Sequence, residues 1–259
     1  MTTKSEFDAL AVDYDASRPR YPSELFATIA ELAPRGTPLT VVDAGAGTGI
    51  ALEGLVPALR DVHEYLAVDV SDGMVAAGRA KFPEVTWMLT EAEPFLETLG
   101  RPVHVVVAAQ AYNWLDRERF VRAVLRALAP GGLLAILQNN RDHASDPFLS
   151  AYEDLLEERS PGYTRGYRVL DVAGELAAQF VPAGGQVHTS AVTWTRPMSV
   201  DDFVQMAASS AHVQRAVAVD GAAFLDRVRA LASAHADGGQ LALPYRSELF
   251  VGQAADASA

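Results

Sequence analysis

At 259 residues, with 49% hydrophobic and 21% charged side chains, the chain is long enough to bury a full core, and its composition is that of one ordinary globular domain. A net charge of −12 is the wrong sign for gripping nucleic-acid phosphates, and the absence of cysteine removes disulfides, thiolate zinc ligands and thiol nucleophiles together. No apolar run approaches the ~20 residues of a membrane-spanning helix, and the opening Met-Thr-Thr-Lys-Ser-Glu lacks the apolar stretch of a secretion signal, so a cytoplasmic protein without membrane or nucleic-acid partners is expected.

Phe7, Leu10, Ala11 and Tyr14 recur at helical spacing, which predicts a helix over 6–18. The following Arg18-Pro-Arg-Tyr-Pro22 is biased toward extended backbone by its prolines and leads into a helix over Ser23 to Leu32. Leu39, Val41 and Val42 then form a short β-branched run, and the chain turns on Gly45, Gly47 and Gly49 into the helical pattern Ile50, Leu52, Leu55, Val56. A strand, a glycine turn and a helix start let a ligand lie against bare backbone at a cluster of unpaired N–H groups. The spacing is G-x-G-x-G with Asp43 two residues ahead; a dinucleotide fingerprint would place its third glycine at position 50, which is Ile.

A second strand over Glu64 to Val70 brings Asp69 to its carboxyl end, about 20 residues past the glycine turn, where an acid can accept hydrogen bonds from a ribose diol. Ser71 already offers the cap for the next helix, which frees Asp69 from that duty. Val85 to Leu89 is a third strand. Val103 to Ala108, nearly continuously apolar, is a fourth, with His104 read as a hydrogen-bonded structural residue. It opens into Ala109-Gln-Ala-Tyr-Asn-Trp-Leu-Asp116. Phe120, Val121, Val124, Leu125 and Leu128 mark a helix that stops at Pro130-Gly-Gly, ahead of a fifth strand over Leu133 to Leu137.

Residues 138–182 read as an insertion or lid. His143, just past a strand end, is the best placed histidine for a general base, and Asn139, Asp142 and Asp146 lack the carboxylate spacing of a metal site, so no metal is expected. Arg159, Tyr163, Arg165, Tyr167 and Arg168 form a stretch suited either to docking an acidic or aromatic molecule or to solvation. The tail reads as a strand over Val187 to Thr195, helices over Val200 to Ser210 and Ala222 to Ala232, and a last strand over Gln240 to Val251.

The Asp43 to Gly49 turn, Asp69-Val-Ser-Asp-Gly-Met74, Glu91-Ala92, the 109–116 loop and the Arg126 to Gly132 segment occur in one order at strand ends, and together they resemble the class I S-adenosylmethionine (SAM) dependent methyltransferases. The likeness is to small-molecule enzymes of the trans-aconitate and ubiquinone-biosynthesis group. It implies a Rossmann-like, doubly wound, seven-stranded α/β sheet, mostly parallel, with an antiparallel C-terminal edge hairpin and a helical cap. Within a single domain, 1–36 would form an N-terminal helical lid, 37–138 the cofactor-binding core, and 139–182 with 197–236 the cap. The same resemblance implies that Asp43, Gly45, Ala46, Gly47 and Gly49 hold the methionine portion, Asp69 the ribose, and Val70, Met74, Glu91 and Ala92 the adenine. It places Gln110 near the cofactor, Tyr112, Asn113 and Trp114 near cofactor or substrate, and Tyr14, Arg18 and Tyr21 in a segment folded over the site.

The implied reaction is in-line transfer of a methyl group to a small molecule, by a monomer or homodimer. Asn113 stands where such relatives usually carry His, which leaves His143, Tyr14 and Tyr21 as candidate bases. A SAM-binding cyclase or interaction module of the same fold is the principal alternative, and an NAD-linked oxidoreductase a more distant one.

Overall fold

The computed structural model describes Asp15, residues 18–168 and residues 170–256, without the side chains of Tyr167 and Arg168. Tyr14 and nearly all of the helix expected over 6–18 lie outside the described residues. In chain order the elements are α1 (Ser23–Leu32), β1 (Leu39–Ala44), α2 (Leu52–Ala58), β2 (Val62–Asp69), α3 (Asp72–Lys81), β3 (Thr86–Leu89), α4 (Ala92–Thr98) and β4 (Val103–Ala109). There follow α5 (Arg117–Ala127), β5 (Leu128–Arg141), α6 (Pro147–Arg159), α7 (Val172–Phe180), β6 (Gln186–Ser199), α8 (Val200–Ala208), α9 (Ala211–Asp220), α10 (Ala223–His235) and β7 (Gln240–Gln253).

The strands form one sheet in the order β3-β2-β1-β4-β5-β7-β6. The first five are parallel, and β7 runs antiparallel to both β5 and β6. Every residue of β1 is buried, because helices cover both faces and leave no side of the strand for a polar stripe. One face carries α1, α2 and α3, packed through Phe26, Ile29, Leu52, Leu55 and Val75; the other carries α4, α5 and α7, through Phe95, Phe120, Val124, Leu176 and Phe180. Bare backbone lets the first layer close up: a Cβ on Gly54 would sit 2.0 Å from the Phe26 ring, and one on Gly78 2.1 Å from Trp87.

Helix starts follow local chemistry. Ser71 caps α3 by accepting the Met74 N–H, Asp116 caps α5, and Asp146 caps α6 with Pro147 in its first turn. His104 is structural, its Nδ1 accepting the Thr40 N–H at 3.0 Å, and burial lowers its pKa below the ordinary value.

The 138–182 segment divides. Helix α7 packs on the sheet, whereas α6 joins α8, α9, α10 and the outer ends of β6 and β7 around a separate cluster of Phe148, Tyr152, Phe203, Phe224 and Tyr245. This cap stands beyond the carboxyl end of β5. Helix α9 was not among the predicted elements.

Candidate active site

The turn after β1 is fastened to β2 by its backbone. The N–H groups of Gly45 and Ala46 both donate to the Val68 carbonyl, at 2.9 and 3.0 Å, and Gly49 N–H closes onto the Ala46 carbonyl. Gly45 has φ +70°, and a Cβ there would lie 2.5 Å from the Ala111 Cβ, so the turn presses directly on the loop after β4. At Gly47, φ +54°, no atom of the described residues lies within 4 Å of a Cβ position, so among them this side of the turn is open. Asp69 braces the turn, accepting the Gly47 N–H at 2.8 Å through one oxygen and the Ser71 N–H at 2.9 Å through the other.

Asp43 lies beneath, 1% exposed, and neither carboxylate oxygen has a hydrogen-bond partner among the described residues. Burial, with a smaller contribution from the negative charge of Asp69, pushes its pKa up to about 7. A buried carboxyl without a partner is costly in any folded protein, and at a strand end beside an open glycine turn it is a place for a positively charged group. Val70 and Leu89 are exposed apolar residues at the neighbouring ends of β2 and β3, where Asp69 pairs with Leu89. Met74 is buried, Glu91 is exposed at the N-cap of α4, and Ala92 is buried in its first turn. An orphaned acid, a braced acid and an apolar strip in this order fit a ligand with an amine, a diol and a flat ring.

The loop after β4 begins with backbone strain. Gln110 has φ +53°, uncommon outside glycine, and is held there by its N–H to the Leu137 carbonyl (2.9 Å) and its side-chain amide to the Asn139 carbonyl (2.7 Å). Tyr112 corrects the expectation that it lies near cofactor or substrate: it is buried on the α7 side, its hydroxyl donating to Glu175 at 2.8 Å, and burial with that bond raises its pKa. Asn113 and Trp114 are exposed.

A strap of residues runs across the site from the N-terminal side. Asn139 donates its amide to the carbonyls of Pro19 (3.4 Å) and Arg20 (3.3 Å); its own oxygen takes the Ser247 hydroxyl, which in turn accepts the Trp194 indole N–H, both at 2.8 Å. At the strap's other end Asp15 accepts the Thr48 hydroxyl of the glycine turn at 2.6 Å and pairs with Lys81 at 2.8 Å and Arg20 at 3.0 Å. Glu53 completes the ring by pairing with Arg20 and Lys81. Burial alone would raise the Asp15 carboxyl, but hydrogen bonds from Lys81, Thr48 and Arg20 outweigh it and hold it below the usual range. Sequence reading missed this ring, whose members are scattered from 15 to 81.

Arg18 and Tyr21 are half-buried in the strap, with Tyr21 edge-on to Phe26. His143 is half-buried in the turn after β5 and makes no side-chain hydrogen bond among the described residues. Three residues of the Arg/Tyr stretch are engaged within the cap: Arg165 pairs with Asp154 and Glu157, Arg159 with Glu158 and Asp220, and the Tyr163 hydroxyl bonds the buried Glu153, while the side chains of Tyr167 and Arg168 lie outside the described residues.

This arrangement, a βαβ sheet with an acid-preceded glycine turn and an antiparallel edge hairpin, is that of the class I methyltransferases. Residues 41–132 match the methyltransferase domain family. An uncharacterised methyltransferase of Mycobacterium tuberculosis is 31% identical over 90% of this chain and 88% of its own. A trans-aconitate 2-methyltransferase of Deinococcus radiodurans is 26% identical over 85% of this chain and 88% of its own. Among solved structures, a putative type II methyltransferase from Anaeromyxobacter dehalogenans superposes with a TM-score of 0.67 at 24% identity, over 92% of this chain and 97% of that one. The chain belongs to the class I SAM-dependent methyltransferase family. No helix among the described residues is long and apolar enough to cross a membrane.

Proposed function

We propose that the protein methylates a small molecule, with SAM lying along the carboxyl ends of β1 to β4 and the acceptor beneath the cap. Bound there, SAM supplies a methyl group already activated on sulfur. The observation that carries the placement is Asp43, a buried carboxyl with no partner beside an open glycine turn. Asp43 takes the amino group, and Gly45, Ala46, Gly47 and Gly49 bound that end of the ligand. Asp69, already held by its two backbone donors, takes the ribose hydroxyls. Val70, Met74, Glu91 and Ala92 border the adenine, while Gln110 and Arg18 close the site from the β4 loop and the strap.

The chain's own contribution is then alignment, exclusion of water and, for acceptors that must lose a proton, a base. His143 fills that last role, with Tyr21, Tyr14 and Asn113 as the other catalytic candidates that the sequence offers. The net charge of −12 favours a small acceptor over a nucleic acid, and the reading includes a cytoplasmic monomer or homodimer. The strap within 1–36, the core over 37–138 and the cap within 139–182 and 197–236 form one working unit.

Calorimetric titration with SAM, S-adenosylhomocysteine and NAD tests the placement. Micromolar binding of the first two, abolished by Asp69→Ala, is expected. Binding of NAD alone, or undiminished SAM binding by Asp69→Ala and Asp43→Asn, overturns it.

A further inference from the structure

Arg141 is the last residue of β5, and 17% of its side chain is exposed. Its guanidinium lies over the Tyr152 ring at 5.1 Å and the Phe203 ring at 6.0 Å. The nearest carboxylate, that of Glu153, is 3.9 Å away, too long for a hydrogen bond. None of the five N–H donors of Arg141 meets an acceptor among the described residues. Unlike Asp43, Arg141 keeps some contact with solvent, but a mostly buried cation whose donors are not taken up by the chain is matched to an anion as Asp43 is to a cation.

Its position fits that reading. Leu133, Ala135 and Leu137 of β5 pack with Leu39 and Val41 of β1 on the α1 face, so strand alternation brings Asp43, Asn139 and Arg141 to the same face of the sheet. The register Asp43↔Val107↔Ala135 sets Arg141 two strands across, ~10 Å, and six residues further along, ~20 Å from the level of Asp43. That span accommodates the amino-acid portion of a cofactor and a small acceptor between the two charges. The rings of Tyr152 and Phe203, from α6 and α8 of the cap, lie only 5.1 Å apart and so pack against one side of the guanidinium, whose planar fork of N–H donors is the part that binds a carboxylate through two parallel hydrogen bonds. The partly neutralising Glu153 is 1% exposed and also receives the Tyr163 hydroxyl, which anchors it in place.

We propose that Arg141 is the acceptor-binding residue of this enzyme and that the acceptor carries a carboxylate, held by the guanidinium edge as a handle beneath the cap. The proposal rests on the cofactor placement above, and its test separates the two. S-adenosylhomocysteine release is followed with a panel of small mono-, di- and tricarboxylates, trans-aconitate among them, beside their neutral amides and matching phosphate monoesters, while SAM affinity is measured by calorimetry on the same preparations.

Turnover of free acids but not of amides or phosphate esters is expected. Arg141→Met should raise KM for the acid at least ~30-fold with unchanged SAM affinity, and Arg141→Lys should recover part of the loss. Glu153→Gln, which removes the competing negative charge, should lower KM for the acid ~3-fold or more, an effect a purely structural pair would not produce. Tight SAM binding with turnover of amides as good as acids, with no panel acid accepted, or with an Arg141→Met KM like that of the wild type overturns the assignment of Arg141. Absence of SAM binding by the wild type instead overturns the cofactor placement.

Discussion

The glycine-turn end of the sheet and the cap each hold a largely buried ionisable side chain that makes no hydrogen bond among the described residues, but they are built on different length scales. Around Asp43 the work is done by backbone: the glycine turn, its N–H groups and the brace from Asp69 all come from residues 43–71, within one βαβ unit. Around Arg141 it is done by side chains that converge from β5, α6 and α8. The first arrangement is fixed by local chain geometry and suits a ligand that never changes; the second depends on packing and suits one that differs among relatives.

The sharpest way to break the comparison is to remove the buried acid. Asp43→Asn should weaken SAM binding by ~100-fold or more, since the ligand's amino group loses its counter-charge, and calorimetry reads this directly. The same substitution reveals the cost of the site. In the unfolded chain the carboxyl titrates near 3.8, in the fold near 7. The neutral buried form is therefore fully accommodated below pH ~4, and stability is lost as pH rises through 7, about 4 kcal/mol in all. Thermal unfolding of the ligand-free wild type should show that decline between pH 4 and 8, and Asp43→Asn should flatten it. SAM affinity should move oppositely, rising with pH and levelling above ~7 as the carboxylate ionises.

Asp69→Ala should cost nearly as much affinity and also release the Gly47 and Ser71 N–H groups, whereas Asp69→Asn, which keeps an acceptor for one of them, should retain more of the melting temperature. A smaller effect is expected where the two regions meet. Asn139→Ala frees the Pro19 and Arg20 carbonyls and strands the Ser247 hydroxyl, for a loss of ~1–3 kcal/mol in chemical denaturation. The smallest should be Lys81→Met. The ring it joins with Asp15, Arg20 and Glu53 is partly solvated, so under ~1 kcal/mol is expected, and less in high salt.

The same difference in length scale decided what was legible. The glycine turn, Asp69 at a strand end, the Pro-Gly-Gly turn and the edge hairpin are written in contiguous residues, and their order along the chain gives the sheet. Tyr112 was misjudged because its partner Glu175 is 63 residues away, and the loop's sequence does not show which face a short turn presents. Asn139 bonds Ser247 across 108 residues, and although the polar run from 138 to 143 falls just past a strand end, what Arg141 meets there depends on α6 and α8. Helix α9 was overlooked because only Val213 and Ala216 of its ten residues are buried, too thin a stripe to register as a period. The strain at Gln110 has no sequence signal at all.

The β6–β7 hairpin carries a further consequence. Ser199 and Gln240 face each other in its last register pair, and between them the chain leaves to make α8, α9 and α10 and comes back to the same point. The excursion begins and ends a few ångströms apart, so its length and sequence are decoupled from the alignment of the strands. Such an inset is a replaceable cartridge. Evolution, or an engineer, can lengthen, shorten or exchange those three helices to suit another acceptor while the glycine turn and its acids stay in register.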